Sequence, residues 1–220
     1  MAFAKDRDIA VIEPTVFRDL IWMGQVITRG DCVVYGTTLE ASGVPSPDFI
    51  EGPVSPGNVV HVSGSLGATY EITGVDGANM MRISRIRDLA SGPELVAPEQ
   101  ISPPLPFVIA TFTPQVEWVH GQLLEMLGLR RETVDDVTRL PESCVKNPDE
   151  LVRLEVYGAL QLVYSAAAGL SSAAPQMLAK ASQWRRAFQD ERQRVAARID
   201  TDGDGAADVI RRFNVGQLVR

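Results

Sequence analysis

The chain has 220 residues, 45% hydrophobic and 22% charged, with a formal net charge of −7. Such a length suits one large domain or two small ones, and the composition excludes a membrane-embedded chain and a disordered polymer. The acidic total argues against free-standing nucleic-acid binding.

The charge is unevenly spread: residues 176–220 hold nine Lys/Arg against six acids, +3, which leaves −10 for residues 1–175. That polarity suits charged protein neighbours, or simply long helices of mixed charge. Asp6, Asp8 and Glu13 interrupt the first apolar residues, so no secretion signal is expected. Cys32 and Cys144 lie far apart and read as reduced thiols of a cytosolic product, not as a metal pair. The stretch from Phe17 to Trp22 fits helix or edge strand equally, and if exposed it would serve as an arm for a neighbouring subunit.

Residues 33–39 are β-branched and follow a turn at Gly30-Asp31. A loop rich in Gly, Pro and Ser fills 42–57, and strands are expected at 59–63, 69–73 and 80–86, with Asp76-Gly77 as a hairpin turn. Met81 and Ile83 alternate with Arg82 and Ser84, the pattern of a half-buried strand. Five prolines between 88 and 106 make a stiff connection, and 107–112 returns as a further strand. Short strands in meander order predict a small antiparallel, barrel-like β module over 1–112.

From Thr113 the periodicity becomes helical. Thr113-Pro114 opens a helix through Val116, Val119, Leu123 and Leu127 that Gly128 ends. Asn147-Pro148-Asp149-Glu150 opens a second with the signature of a capping box, spanning 149–169. Its polar stripe is narrow (Glu150, Arg153, Gln161), so it must be buried on most sides. A third helix is expected over 174–199, with a seam at Met177, Ala181, Trp184, Phe188, Val195 and Ile199, and a charge ladder Arg186–Asp190–Arg194. A short helix is predicted at 206–213. The fold class is therefore α+β, a β module followed by a helical bundle over 113–220.

The sharpest chemical signal is the run Asp200-Thr201-Asp202-Gly203-Asp204-Gly205-Ala206-Ala207-Asp208. Carboxylates at positions one, three and five with glycine at six suit a Ca2+ loop, in which the Ala206 carbonyl and Asp208 would add ligands. Arg211 stands where such a loop wants a bidentate glutamate. The alternative is a charged corner that caps a following helix. His61 reads as a structural histidine in a strand, His120 belongs to no HExxH or Cys–His grouping, and Ser143-Cys144 has no evident base. Gly64 to Ala68 lacks the Gly-Lys-Ser/Thr ending of a phosphate loop. Trp22, Trp118 and Trp184, one per element, read as core. No base, nucleophile and orienting group occur together, so no enzyme is expected.

The order of elements over 113–220, with a long central helix, a second long helix and a tail ending Phe213-Asn214-Val215-Gly216-Gln217-Leu218-Val219-Arg220, resembles adaptor proteins at the head-to-tail junction of tailed bacteriophages. The run from Ile199 to Arg212 also resembles C-terminal segments of phage-like proteins. The resemblance is one of pattern. The β module departs from the plainest adaptors and is similar to the small barrels of head-closure or tail-terminator proteins, which leaves the station along the neck open. The resemblance implies a virion structural protein made in the host cytoplasm. It would form a homo-oligomeric ring, with the portal protein on one side and a tail-side neck protein on the other, no membrane, and DNA only as channel contents. The alternative expectation is a monomeric calcium-dependent binding module built on the aspartate loop.

Overall fold

The computed structural model describes residues 2–43, 47–64, 67–97, 104–134 and 138–213. They form two compact units, Lys5–Phe112 on the one hand and residues 2–4 with 113–213 on the other. The fold is mixed α+β: a six-stranded antiparallel barrel, then helices in the C-terminal region.

The barrel strands are β1 (Gln25–Tyr35), β2 (Thr38–Ser42), β3 (Val59–Val62), β4 (Ala68–Gly77), β5 (Met80–Arg85) and β6 (Leu105–Thr111). They close in the order β1-β2-β5-β4-β3-β6. The eleven-residue β1 makes closure possible, because residues 31–35 pair with β2 while residues 25–32 pair with β6. A bulge between Val26 and Thr28 bends it. Val34, Leu39, Ile72, Met81, Ile83, Phe107 and Ile109 fill the interior and are almost fully buried. Each such side chain is worth about 1.5–3 kcal/mol.

Two turns differ from expectation. Gly30 and Asp31 lie inside β1, and the chain reverses at Gly36, whose φ of 61° suits glycine. Asp76 and Gly77 end β4, and Ala78-Asn79 make the turn.

The segment before the barrel is neither arm nor edge strand. It forms α1 (Asp6–Ile12), α2 (Val16–Asp19) and a 3-10 turn (Ile21–Met23), with Ile9, Val16, Phe17 and Leu20 buried. Phe17 meets Phe112 edge-on at 5.2 Å. Glu71, 1% exposed, receives Arg7 Nε at 2.8 Å and Arg87 Nε at 2.5 Å. Burial alone would raise its carboxyl, but the two guanidinium groups hold it below the usual range. The barrel's outer face therefore carries a compensated buried charge where α1 packs.

In the second unit, α3 (Thr113–Leu127) stops before Gly128, whose φ is 67°. A short parallel pair follows, β7 (Leu129–Arg130) and β8 (Leu140–Pro141), then a 3-10 turn (Glu142–Cys144). The long helices are α4 (Pro148–Leu170) and α5 (Ala174–Arg194). Leu151, Leu154, Val156, Ala159, Leu160 and Val163 of α4 are buried, as its narrow polar stripe requires. The capping box does not form: Asn147 instead donates to Glu150 and the Ala196 carbonyl and accepts from the Arg198 N–H.

The expected third helix ends early. Val195 leaves helical geometry, and β9 (Ala196–Ile199) pairs antiparallel with β10 (Val209–Arg212), where a helix over 206–213 was expected. The β-branched Val209-Ile210 gains more by pairing with β9 than a solitary turn of helix could offer. The charge ladder is also absent, since Arg194 pairs with Glu191. Of the tryptophans only Trp184 is buried; Trp22 and Trp118 are 48% and 64% exposed. Residues 214–220 of the expected tail, and residues 98–103 of the proline-rich connection, lie outside the described residues.

Candidate functional site

The aspartate loop joins β9 to β10 as a hairpin turn. Gly203 and Gly205, with φ of 81° and 93°, permit the backbone to fold over Asp200. Asp200 Oδ1 accepts the Gly203 N–H at 2.7 Å, and Oδ2 accepts that of Gly205 at 2.9 Å. Lys146 Nζ lies 2.9 Å from Oδ2. Chiefly through that lysine, and then through the two backbone donors, the Asp200 carboxyl is held at about 2. Asp208 Oδ2 accepts both the N–H and the hydroxyl of Thr201.

One oxygen each from Asp200, Asp202 and Asp208 lies within 4.8 Å of the others, a spacing that a hard cation with oxygen ligands can bridge. Asp204 stands outside this group and caps the Ala206 N–H, so Asp204 and Ala206 are not gathered with the three. Arg211, at the twelfth position, turns away and donates to the Leu127 carbonyl. The expected five-ligand set is therefore assembled only in part, with an ammonium group already on its best carboxylate.

A second cluster sits deep among the helices. His120 of α3 and Glu155 of α4 are fully buried, with His120 Nδ1 2.8 Å from Glu155 Oε1 and Nε2 2.6 Å from Glu142 Oε2. Glu155 Oε2 accepts the Ala4 N–H at 2.6 Å. Burial alone would lower the imidazole's pKa, but the two carboxylates raise it above the ordinary value. Glu155 is itself pushed up by burial against the pull of His120 and Ala4. With an acceptor at each ring nitrogen, the imidazolium form satisfies both. The cluster binds a proton between α3, α4 and the turn at Glu142, and so ties these elements together. Sequence reasoning missed it, although His120 falls on the Val116–Val119–Leu123 face and Glu155 among apolar neighbours: two polar residues on buried faces that must find each other.

The remaining candidates are apart. His61 contacts Thr69 at 3.3 Å in the barrel unit. Ser143 donates to Glu132, and burial pushes the Cys144 thiol up and the Cys32 thiol up to about 12. Residues 65–66 of the rejected phosphate loop lie outside the described residues.

The end of α4 and the start of α5 expose apolar side chains in a stretch without charge. No charged residue occurs between Glu155 and Lys180, and Leu170 and Leu178 are 75% and 55% exposed. No helix among the described residues is long and apolar enough to cross a membrane. No protein-family model, curated protein or solved structure matches the chain.

Proposed function

We propose that the chain is a structural subunit of a tailed-phage neck, working in a homo-oligomeric ring between portal protein and tail, with no catalytic role. The observation that carries the assembly role is the uncharged stretch over the end of α4 and the start of α5, with Leu170 and Leu178 in solvent, because exposed apolar side chains without neighbouring charge in the chain favour a protein contact. The assignment to the neck rests on the resemblance in element order. The β9–β10 hairpin leads towards the chain's tail, the part through which an adaptor reaches its portal. Portal protein and a tail-side neck protein are the partners, and the virion is the site of action after assembly in the host cytoplasm.

The native mass of the purified chain, alone and mixed with portal protein, tests this. A ring, or a complex with portal, is expected. A monomer without affinity for portal overturns it.

A second reading has its own support in the convergence of Asp200, Asp202 and Asp208. In it the chain is a monomeric calcium-dependent binding module. A calcium-sensitive monomer in the same measurement favours this reading over the ring.

A further inference from the structure

A cavity of about 510 Å3 opens on the barrel unit beside α2 and the β3–β4 hairpin, within the roughly 300–1,000 Å3 range of small-molecule sites. Its polar lining comes from Thr15, Arg18, His61, Thr69 and Arg85. Pro14, Ala68 and Ile86 supply apolar wall.

One feature points to a ligand. Arg85, on the same cavity, makes no ion pair among the described residues, while Arg18 is held bidentately by Asp19 at 2.7 and 2.9 Å. The charge left over is thus that of one guanidinium. His61, 8% exposed, is kept neutral mainly by burial and offers a hydrogen bond without adding charge.

We propose that this cavity binds a small organic monocarboxylate, its carboxylate on Arg85 and its apolar body against Pro14, Ala68 and Ile86. One net positive charge matches one carboxylate, and a multiply charged phosphate would be left partly uncompensated. The apolar wall calls for an apolar body beyond the carboxylate. The site is independent of the assembly role.

Titration calorimetry with benzoate, acetate and inorganic phosphate on the full chain tests the assignment, with R85Q and R82Q as variants. Arg82 lies on the same strand but pairs with Asp76 away from the cavity. Saturable millimolar binding of benzoate is expected, weaker for acetate. R85Q should weaken it by about tenfold or more, the scale of one lost charge-assisted hydrogen bond. R82Q should leave it unchanged. Arg85 is exposed, so R85Q keeps the barrel's thermal transition. Phosphate binding as tight as benzoate, equal loss in R82Q and R85Q, or no saturable binding of any probe overturns the proposal.

Discussion

His120 Nδ1 stands 2.8 Å from Glu155 Oε1, with neither side chain in contact with solvent. A proton held between them ties α3 to α4 and makes the helical unit's stability depend on pH. Both groups have folded pKa values above their ordinary ones, so this pair binds more protons in the folded chain than in the unfolded one. The His120 contribution is complete below the ordinary histidine value and is lost as pH rises through its folded value, whereas that of Glu155 is complete below the ordinary glutamate value and is lost as pH rises through its own folded value.

The melting temperature should therefore fall as pH rises through and above the ordinary histidine range, and H120Q should flatten that slope. E155A should cost about 3–5 kcal/mol by denaturant unfolding at neutral pH, because it strands His120 and the Ala4 N–H, while E155Q costs less. A pH-independent wild-type melting temperature would refute the coupling.

Two glycines of α4 predict opposite outcomes. A Cβ on Gly158 would meet Val119 Cγ1 at 2.7 Å and Phe188 Cε2 at 3.1 Å, so Gly158 sets how closely three helices approach. G158A should destabilise by about 1–3 kcal/mol through overpacking. A Cβ on Gly169 meets nothing, and G169A should stabilise by about 0.5–1 kcal/mol through the helix propensity of alanine. Urea melts of the two variants give the signs directly.

Val156 and Val163 face the packed side of α4 and are almost completely buried. Replacing either by Asp puts an unpaired carboxylate among apolar side chains, at a cost of about 3 kcal/mol or more. The helical unit should lose its cooperative melt or its ability to assemble, seen by circular dichroism and native mass. A variant that melts and assembles normally would show that this face is not the core.

The fold class was legible because periodicity is local. Met81 and Ile83 point inward as their alternation requires, and Gly128 ends α3 where a positive φ is needed. The C-terminal hairpin was not legible, since Val195 and Ile199 continue the helical seam of α5 by spacing although they leave the helix. Only pairing with Val209 to Arg212 turns that segment into a strand, and pairing across nine residues leaves no local signature. The aspartate loop was visible as a run, but the choice of Asp208 over Asp204 for the convergent group depends on how the two glycines fold the turn. Lys146 on Asp200 comes from a separate segment that no motif marks.

That geometry sharpens the calcium test. If the loop binds, D202N should remove the heat of calcium binding, whereas D204N should leave most of it, because Asp204 lies outside the convergent group. K146Q should tighten binding by freeing the Asp200 carboxylate. The Lys146–Asp200 pairing contributes stability above the ordinary aspartate value and loses it as pH falls through about 2. No heat and no thermal shift at millimolar calcium in wild type or K146Q would leave the loop as a charged hairpin turn.

The helical unit is written in two pieces: residues 2–4, then everything after the 108 residues of the barrel unit. During synthesis the Ala4 N–H emerges long before the buried carboxylate that accepts it, so this hydrogen bond around Glu155 waits on a residue made 151 positions later. A fragment starting at Thr113 would carry that carboxylate one donor short. Anyone wishing to isolate the helices should splice the first residues onto α3, not cut between the units.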